Sequence, residues 1–329
     1  MILVTGATGH IGNVLVRTLL EKGEKVRALI WAGEDTTPLN DLEVETIQGD
    51  VLDLKSLKSA LKGIERVYHL AGIISIMPGQ QPLVWQVNLE GTRNMLKVAR
   101  QANIRRMVYT SSIHAIRRAA TGVIDESLPY DPDNPYGAYD RSKAAASLEV
   151  QKAASDGLDV VIVCPTGVIG PYDFRRSEMG SVILDAARGK AAPYVDGAYD
   201  FVDVRDVAEG MILAEQKGRT GESYILGGQK ISVRYLLETV REVSGRAFAS
   251  IKIPFSLAKF TARFTPHYYH WTKAKPRFTP YSLEVLQSNA NISHAKAARE
   301  LGYQPRSLYV TIADTVKWFM DNRRLLARS

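Results

Sequence analysis

From the first residues, short runs of β-branched and apolar residues alternate with longer stretches in which apolar positions recur every three or four. The runs are Ile2–Thr5, Val26–Ile30, Val44–Gln48, Val67–Leu70, Met107–Ser111, Val160–Cys164 and Tyr224–Leu226, and their length and composition predict strands. The stretches Ile11–Lys22, Leu54–Lys62, Val87–Ala102 and Ser142–Ser155 predict helices between them. Several strands are apolar almost throughout, as expected where both faces of a parallel sheet are covered. Repeated strand–helix units of this kind predict an α/β fold, a Rossmann-type doubly wound parallel sheet with right-handed crossovers.

The alternation weakens after Gly167. Residues 167–200 are rich in Gly, Pro and Tyr, a strand-like piece returns near Tyr224, and from Ser232 helical and irregular segments alternate. This predicts a sheet domain from 1–166 and about 201–227, with a smaller C-terminal substrate-binding lobe from 167–200 and 228–322. Arg323–Ser329 reads as a frayed tail.

At 329 residues, with 45% hydrophobic and 23% charged, the chain has the composition of a soluble protein and length enough for this two-part arrangement. No apolar run approaches a membrane span. Met1 is followed at once by Ile2-Leu3-Val4-Thr5-Gly6, with no basic stretch of a secretory signal, so a cytoplasmic location is expected. The single cysteine, Cys164, rules out an internal disulfide framework and a cysteine-cluster metal site.

The net charge of +7 changes this picture only locally. Between Glu242 and Glu284 there is no acid but seven Lys or Arg, and the remainder is formally neutral. A nucleic-acid-binding protein spreads such charge along a face, so none is expected as partner. Within 243–283, Lys259-Phe260-Thr261-Ala262-Arg263-Phe264 and Tyr268-Tyr269-His270-Trp271 interleave rings with cations. Three readings stand: an ordinary lobe surface, a basic aromatic rim for an amphipathic or anionic substrate, and a weak peripheral membrane contact. His267 and His270 have no third ligand close in sequence, so no metal site is expected.

Two motifs carry chemistry. Between the first strand and first helix stands Gly6-Ala7-Thr8-Gly9-His10-Ile11-Gly12. Gly6 permits the tight turn, Gly9 lets the backbone approach a pyrophosphate, and Gly12 lets helix pack on strand. The helix N-terminus and its free N–H groups, with Thr8, His10 and Ile11 in the turn, then face a dinucleotide. Later, Tyr139 and Lys143 stand four apart, one turn apart on a helix. An ammonium beside a phenol lowers its pKa and prepares it to give or take a substrate proton. Thr110, Ser111 and Ser112 end the fifth strand at the sheet's carboxyl edge, where a hydroxyl can support charge developing on a substrate oxygen.

Together, the G-x-x-G-x-x-G spacing and the Tyr-x-x-x-Lys pair resemble the extended short-chain dehydrogenase/reductases of the NAD-dependent epimerase/dehydratase family. The resemblance continues in order through Gly49-Asp50-Val51, Leu70-Ala71-Gly72, Asn88, and Phe201-Val202-Asp203-Val204-Arg205-Asp206-Val207-Ala208. It implies that Asp50 and Val51 meet the adenine, that Leu70, Ala71, Gly72 and Asn88 border the cofactor, and that Pro165 to Val168 pass the nicotinamide. It implies Ser112, with Ser111 as fallback, Tyr139 and Lys143 as the catalytic set, and a homodimer through the helices at 88–102 and 142–156. Cys164 reads as a small core residue and His114 as a solvent-side or substrate-contact residue, not a base.

The cofactor is NAD or NADP. Position 31, where related reductases place an NADP-binding Arg, holds Trp31, whose ring would stack on adenine or close the sheet. Arg27, Glu34 and Asp35 are nearby but not decisive. Ser112-Ile113-His114 departs from the Thr-Asp-Glu of sugar-nucleotide dehydratases. Ala115-Ile116-Arg117 departs from the Val-Tyr-Gly of epimerases, and Tyr199 stands where many epimerases place a diphosphate-binding Arg. Losing that Arg removes a charge-assisted phosphate contact. The resemblance therefore favours the dihydroflavonol-reductase-like and 3β-hydroxysteroid-dehydrogenase-like branch, which moves hydride between nicotinamide and a carbonyl or alcohol carbon of largely apolar or amphipathic small molecules. The alternatives are a nucleotide-sugar or lipid-linked sugar epimerase that retains its NAD, and a non-catalytic dinucleotide sensor.

Overall fold

A computed structural model describes residues 1–74, 81–262, 264 and 279–322. In chain order its strands are β1 (Ile2–Thr5), β2 (Val26–Ile30), β3 (Glu45–Gln48), β4 (Arg66–His69), β5 (Arg106–Thr110), β6 (Val160–Pro165), β7 (Gly167–Ile169), β8 (Ala192–Tyr194), β9 (Ala198–Asp203), β10 (Ser223–Leu226), β11 (Gln229–Ser232) and β12 (Ser250–Lys252). Seven of them form one sheet in the order β10-β6-β5-β4-β1-β2-β3, with parallel pairing throughout. Each of the seven expected strands is present within one residue at either end.

Alternate side chains of these strands enter two cores, as a period of two requires. Leu3, Val67, Met107, Tyr109 and Ile162 face one side, while Val4, Tyr68, Val108, Val161 and Val163 face the other. Helices α1 (His10–Glu21), α2 (Leu54–Ala60), α3 (Gln81–Trp85), α4 (Gly91–Gln101), α5 (Ala138–Ser155), α6 (Glu178–Ala187) and α7 (Val204–Lys217) follow in the chain. α1 and α7 pack together over the second core, and α2, α4 and α5 cover the first.

The strand order reverses between β1 and β4, so the loops leaving their carboxyl ends part to form the crevice where such sheets bind ligands. There they remain tied: Leu70 N donates to Thr5 O at 3.2 Å, and Ala71 N donates to Thr5 Oγ1 at 3.1 Å. Beyond the main sheet, β11, β9 and β7 form a three-stranded sheet and β12 pairs with β8. α8 (Val233–Ser244) packs against helix Leu308–Asp321.

Two helix boundaries differ from expectation, both at the site. The helix expected from Ser142 begins at Ala138, behind Gly137 with φ +159°, so Tyr139 lies in its first turn. The helix expected over 87–102 opens with a π turn, Gln86–Glu90, before α4; that turn carries Asn88. No helix among the described residues is long and apolar enough to cross a membrane. Arg263, His267, Tyr268, Tyr269, His270, Trp271 and the tail 323–329 lie outside the described residues.

Candidate active site

The glycine turn closes on backbone, which explains its residue types. Gly6 has φ +68°, and a Cβ there would stand 2.9 Å from Ala71 N. A Cβ on Gly12 would run into the Gly6 carbonyl oxygen. The turn thus leaves the α1 N-terminus open to an anion. Asn88 fixes the opposite wall: its Oδ1 accepts from Ile73 N at 2.7 Å, and its Nδ2 donates to Ile73 O at 3.1 Å and Ser142 Oγ at 3.0 Å. Asp50 Oδ1 accepts from Leu52 N at 2.8 Å, whereas the Val51 side chain is core, in contact range of Gly91, and offers a ligand only its backbone. Val168 lies in β7 opposite Val202, one strand removed from Pro165.

Trp31 is 60% exposed, so it does not close the sheet. Arg27 is committed at the far end of β2, to Glu45 at 2.7 Å and to the carbonyls of Ala60 and Lys62. Over the glycine turn lies an unforeseen segment that follows β7. His10 Nε2 bonds Pro171 O at 2.9 Å, Asn13 Nδ2 donates to Tyr172 O at 3.2 Å, and Arg175 donates to Thr8 Oγ1 at 2.7 Å.

At the carboxyl end of β5 the expected catalytic set converges. Ser112 caps the short turn Ile113–Ala115 by accepting from His114 N, and its hydroxyl lies near enough to the Tyr139 phenol to oppose the rise of its pKa. The fallback Ser111 turns inward to Ser147 Oγ at 2.6 Å. Lys143 is buried, and its Nζ donates to Thr110 O at 2.7 Å. Lys143 Nζ would also lie 3.4 Å from a Cβ on Gly72, which puts the ammonium beside the loop after β4. Thr110 Oγ1 is buried without a hydrogen-bond partner among the described residues.

The expected lowering of the Tyr139 pKa is reversed in the protein alone. Burial pushes the phenol up to about 12, with the nearby Ser112 hydroxyl opposing the rise. Burial also pushes the Lys143 ammonium down to about 8. The Cys164 thiol, buried and pushed up to about 12 by desolvation, is a core group as expected.

Residues 2–227 match the family model for the NAD dependent epimerase/dehydratase family. The chain belongs to that family. Sterol demethylase protein B of Methylococcus capsulatus is 39% identical over 97% of this chain and 98% of its own length. A putative dihydroflavonol 4-reductase of Synechocystis is 34% identical over 97% and 94%. The crystal structure of gox2253 superposes with a TM-score of 0.85 at 32% identity, covering 98% of this chain and 99% of that one. These place the chain among the extended short-chain dehydrogenase/reductases, in the branch expected from its motifs. A nicotinamide dinucleotide is accordingly its cofactor, and the glycine turn, free of side chains where backbone must approach phosphate, fits one.

Within this family member a buried polar network underlies the reaction side. Asp140 is fully buried; one carboxylate oxygen accepts from Arg118 at 2.8 Å and the other from Tyr281 Oη at 2.7 Å. Of the two readings of His114, the solvent-side one does not fit its surroundings. Its side chain is 19% exposed, its ring stacks on Tyr199 at 5.9 Å, and its Nε2 bonds Tyr199 Oη at 3.2 Å. Burial pushes the imidazole down to about 4, with Asp140 raising and Arg118 lowering it, so near pH 7 it is neutral and a weak proton acceptor. A small cavity beside His114 is lined by the apolar Ile113, Ile116, Ile124 and Ile292 and by the polar Arg118, Tyr199, Ser288 and Asn289. Sequence reading missed Arg118, Asp140 and Tyr281: lone charged or phenolic residues far apart in the chain carry no spacing signal.

Proposed function

We propose that this protein is an NAD(P)-dependent oxidoreductase that interconverts a carbonyl and an alcohol on a largely apolar small molecule. The observation that carries the proposal is the gathering of Ser112, Tyr139 and Lys143 at the carboxyl end of β5, with Lys143 Nζ beside the loop after β4, while the nearby Arg118 is already paired with Asp140. An arginine already neutralised by a buried carboxylate is a poor partner for a diphosphate. At the position of the epimerases' diphosphate Arg, Tyr199 is engaged with His114. The names of two relatives, a sterol demethylase protein and a dihydroflavonol reductase, agree with an apolar polycyclic substrate.

The bound nicotinamide supplies or accepts the hydride. In the reductive direction Ser112 donates to the substrate oxygen and holds it. Tyr139, kept protonated by its burial, gives its proton: its O–H bond breaks as the alcohol O–H bond forms. The Lys143 ammonium, one turn away, stabilises the phenolate left behind and is placed to hold a ribose hydroxyl. Oxidation runs the same transfers backwards.

Tyr139→Phe removes the proton donor and leaves the glycine turn intact. Turnover of apolar ketones with NADH or NADPH is expected to be lost while dinucleotide binding persists; full activity in that variant would overturn the mechanism. The family also contains epimerases, and the same residues would serve a sugar epimerase that retains NAD. Mass spectrometry of nucleotide released from freshly purified protein separates the two. Near-stoichiometric NAD supports the epimerase, and an empty site that binds the cofactor reversibly supports the reductase.

A further inference from the structure

The end of β2 holds Trp31 where dinucleotide-binding sheets commonly place the acid that accepts the adenosine ribose hydroxyls. The chain returns a carboxylate to that place by another route. Residues 31–34 form a tight turn: Glu34 N donates to Trp31 O at 3.0 Å, and Gly33 adopts φ +82° with nothing near a Cβ. The turn folds Glu34 back on the strand end, where its Oε2 accepts from Trp31 N at 3.3 Å.

Its other oxygen is held from across the crevice. Arg175 Nη2 donates to Glu34 Oε1 at 2.6 Å and to Thr8 Oγ1 at 2.7 Å. The arginine is delivered by a braced segment. Besides the bonds of Pro171 and Tyr172 to α1, the Arg17 guanidinium lies 4.7 Å over the Tyr172 ring, and Tyr172 takes φ +64°. Acid, hydroxyl and guanidinium therefore meet above the glycine turn, at the adenosine end of the crevice.

We infer that Glu34, aimed by Arg175, is the acceptor for the adenosine ribose hydroxyls, and that this pair makes the protein prefer NAD(H) over NADP(H). The inference rests on the dinucleotide reading of the Gly6–Gly12 turn. A carboxylate accepts hydrogen bonds from a ribose diol but repels a 2′-phosphate, and while it is present it occupies the guanidinium that would otherwise attract one. Without the carboxylate's charge, Arg175 and Thr8 become two donors facing the 2′ position, a phosphate site. One ion pair thus holds both preferences, and Glu34 decides between them.

The test is calorimetric titration of NAD, NADP, 5′-AMP and 2′,5′-ADP into the wild-type protein, Glu34→Gln, Arg175→Met and the double variant, each checked for its folded circular dichroism. Wild type is expected to bind NAD and 5′-AMP about tenfold or more tightly than NADP and 2′,5′-ADP, the scale of one charge-assisted hydrogen bond. Glu34→Gln reverses that order, and adding Arg175→Met abolishes the reversal. Wild-type preference for the 2′-phosphorylated ligands overturns the inference without any variant. An unchanged ratio in folded Glu34→Gln, or a reversal that survives loss of Arg175, overturns it as well. Binding of no nucleotide by the wild type overturns the dinucleotide reading itself, and this inference with it.

Discussion

The Tyr281 hydroxyl, at the start of helix Pro280–Gln287, donates at 2.7 Å to the carboxylate of Asp140, the residue directly after Tyr139 in α5. Because Arg118 holds the other oxygen, the turn that presents the candidate acid is tied both to the loop after β5 and to the C-terminal part of the chain. Asp140 is fully buried, so these partners satisfy the carboxylate that burial removes from water. The Arg118 guanidinium also lies 3.7 Å over the Tyr136 ring, which fixes its approach to the pair.

Arg118→Met leaves that buried carboxylate without its cation. The expected loss is about 3–5 kcal/mol, the cost of breaking a buried ion pair from one side. Tyr281→Phe removes one hydrogen bond to a charged group and is expected to cost about 1.5–3 kcal/mol. Urea unfolding of both variants checks the order. An Arg118→Met protein as stable as wild type shows that the buried pair contributes nothing net to stability.

The pH dependence of reduction follows from two directions of shift. The phenol of Tyr139, raised to about 12, stays protonated and able to donate well into alkali. The ammonium of Lys143, lowered to about 8, loses its charge first, so the phenolate formed in the transition state loses its stabilising cation as pH rises through that value. The ketone-reduction rate is expected to be level below pH 8 and to fall above it. Lys143→Met should be slow and flat across the same range. A wild-type profile level to pH 10 removes the proposed role of the lysine charge.

The seven main strands were legible because each is a short apolar run flanked by glycine or polar residues, and burial on both faces preserves that pattern whatever the tertiary detail. The first turn of α5 was not. Asp140, Ser142 and Lys143 are buried there, so polar residues occupy inward positions and the amphipathic signal begins only after them. The same holds for the π turn, where Asn88 is buried for its hydrogen bonds. Glycine spacing marked the turn between β1 and α1 because the close backbone approach there admits no other residue type. The Arg175–Glu34 contact left no trace, since it joins residues 141 apart in the chain.

Acid stability depends on two imidazoles. His69 is fully buried between Thr5 and Thr92, and burial lowers it to about 3; His114 is lowered to about 4. Below their unfolded value of about 6.5, the unfolded chain binds protons that the folded one refuses. Their contribution is therefore present above about pH 6.5 and is lost as pH falls toward 4, at about 1.4 kcal/mol per pH unit for each group. His69→Gln keeps a polar side chain without the titration. It is expected to shallow the acid limb of the stability curve by about one proton; parallel limbs would show that His69 already charges in the native state.

Asn88 separates a structural strut from a wall of the cofactor site. It grips both backbone groups of Ile73, and a Cβ on Gly72 would meet its Oδ1 at 3.1 Å and Lys143 Nζ at 3.4 Å. The loop after β4 is thus clamped against the ammonium by one amide. Asn88→Ala strands the Ile73 N–H and frees the loop, at a cost of about 1–3 kcal/mol. If the clamp shapes the crevice, dinucleotide affinity falls about tenfold or more with it. Asn88→Asp keeps the acceptor for Ile73 N but cannot donate to Ile73 O or Ser142, so an intermediate affinity is expected. Calorimetry on the folded variants decides the matter: a stability loss with unchanged affinity makes Asn88 a strut, and the wall then consists of backbone alone.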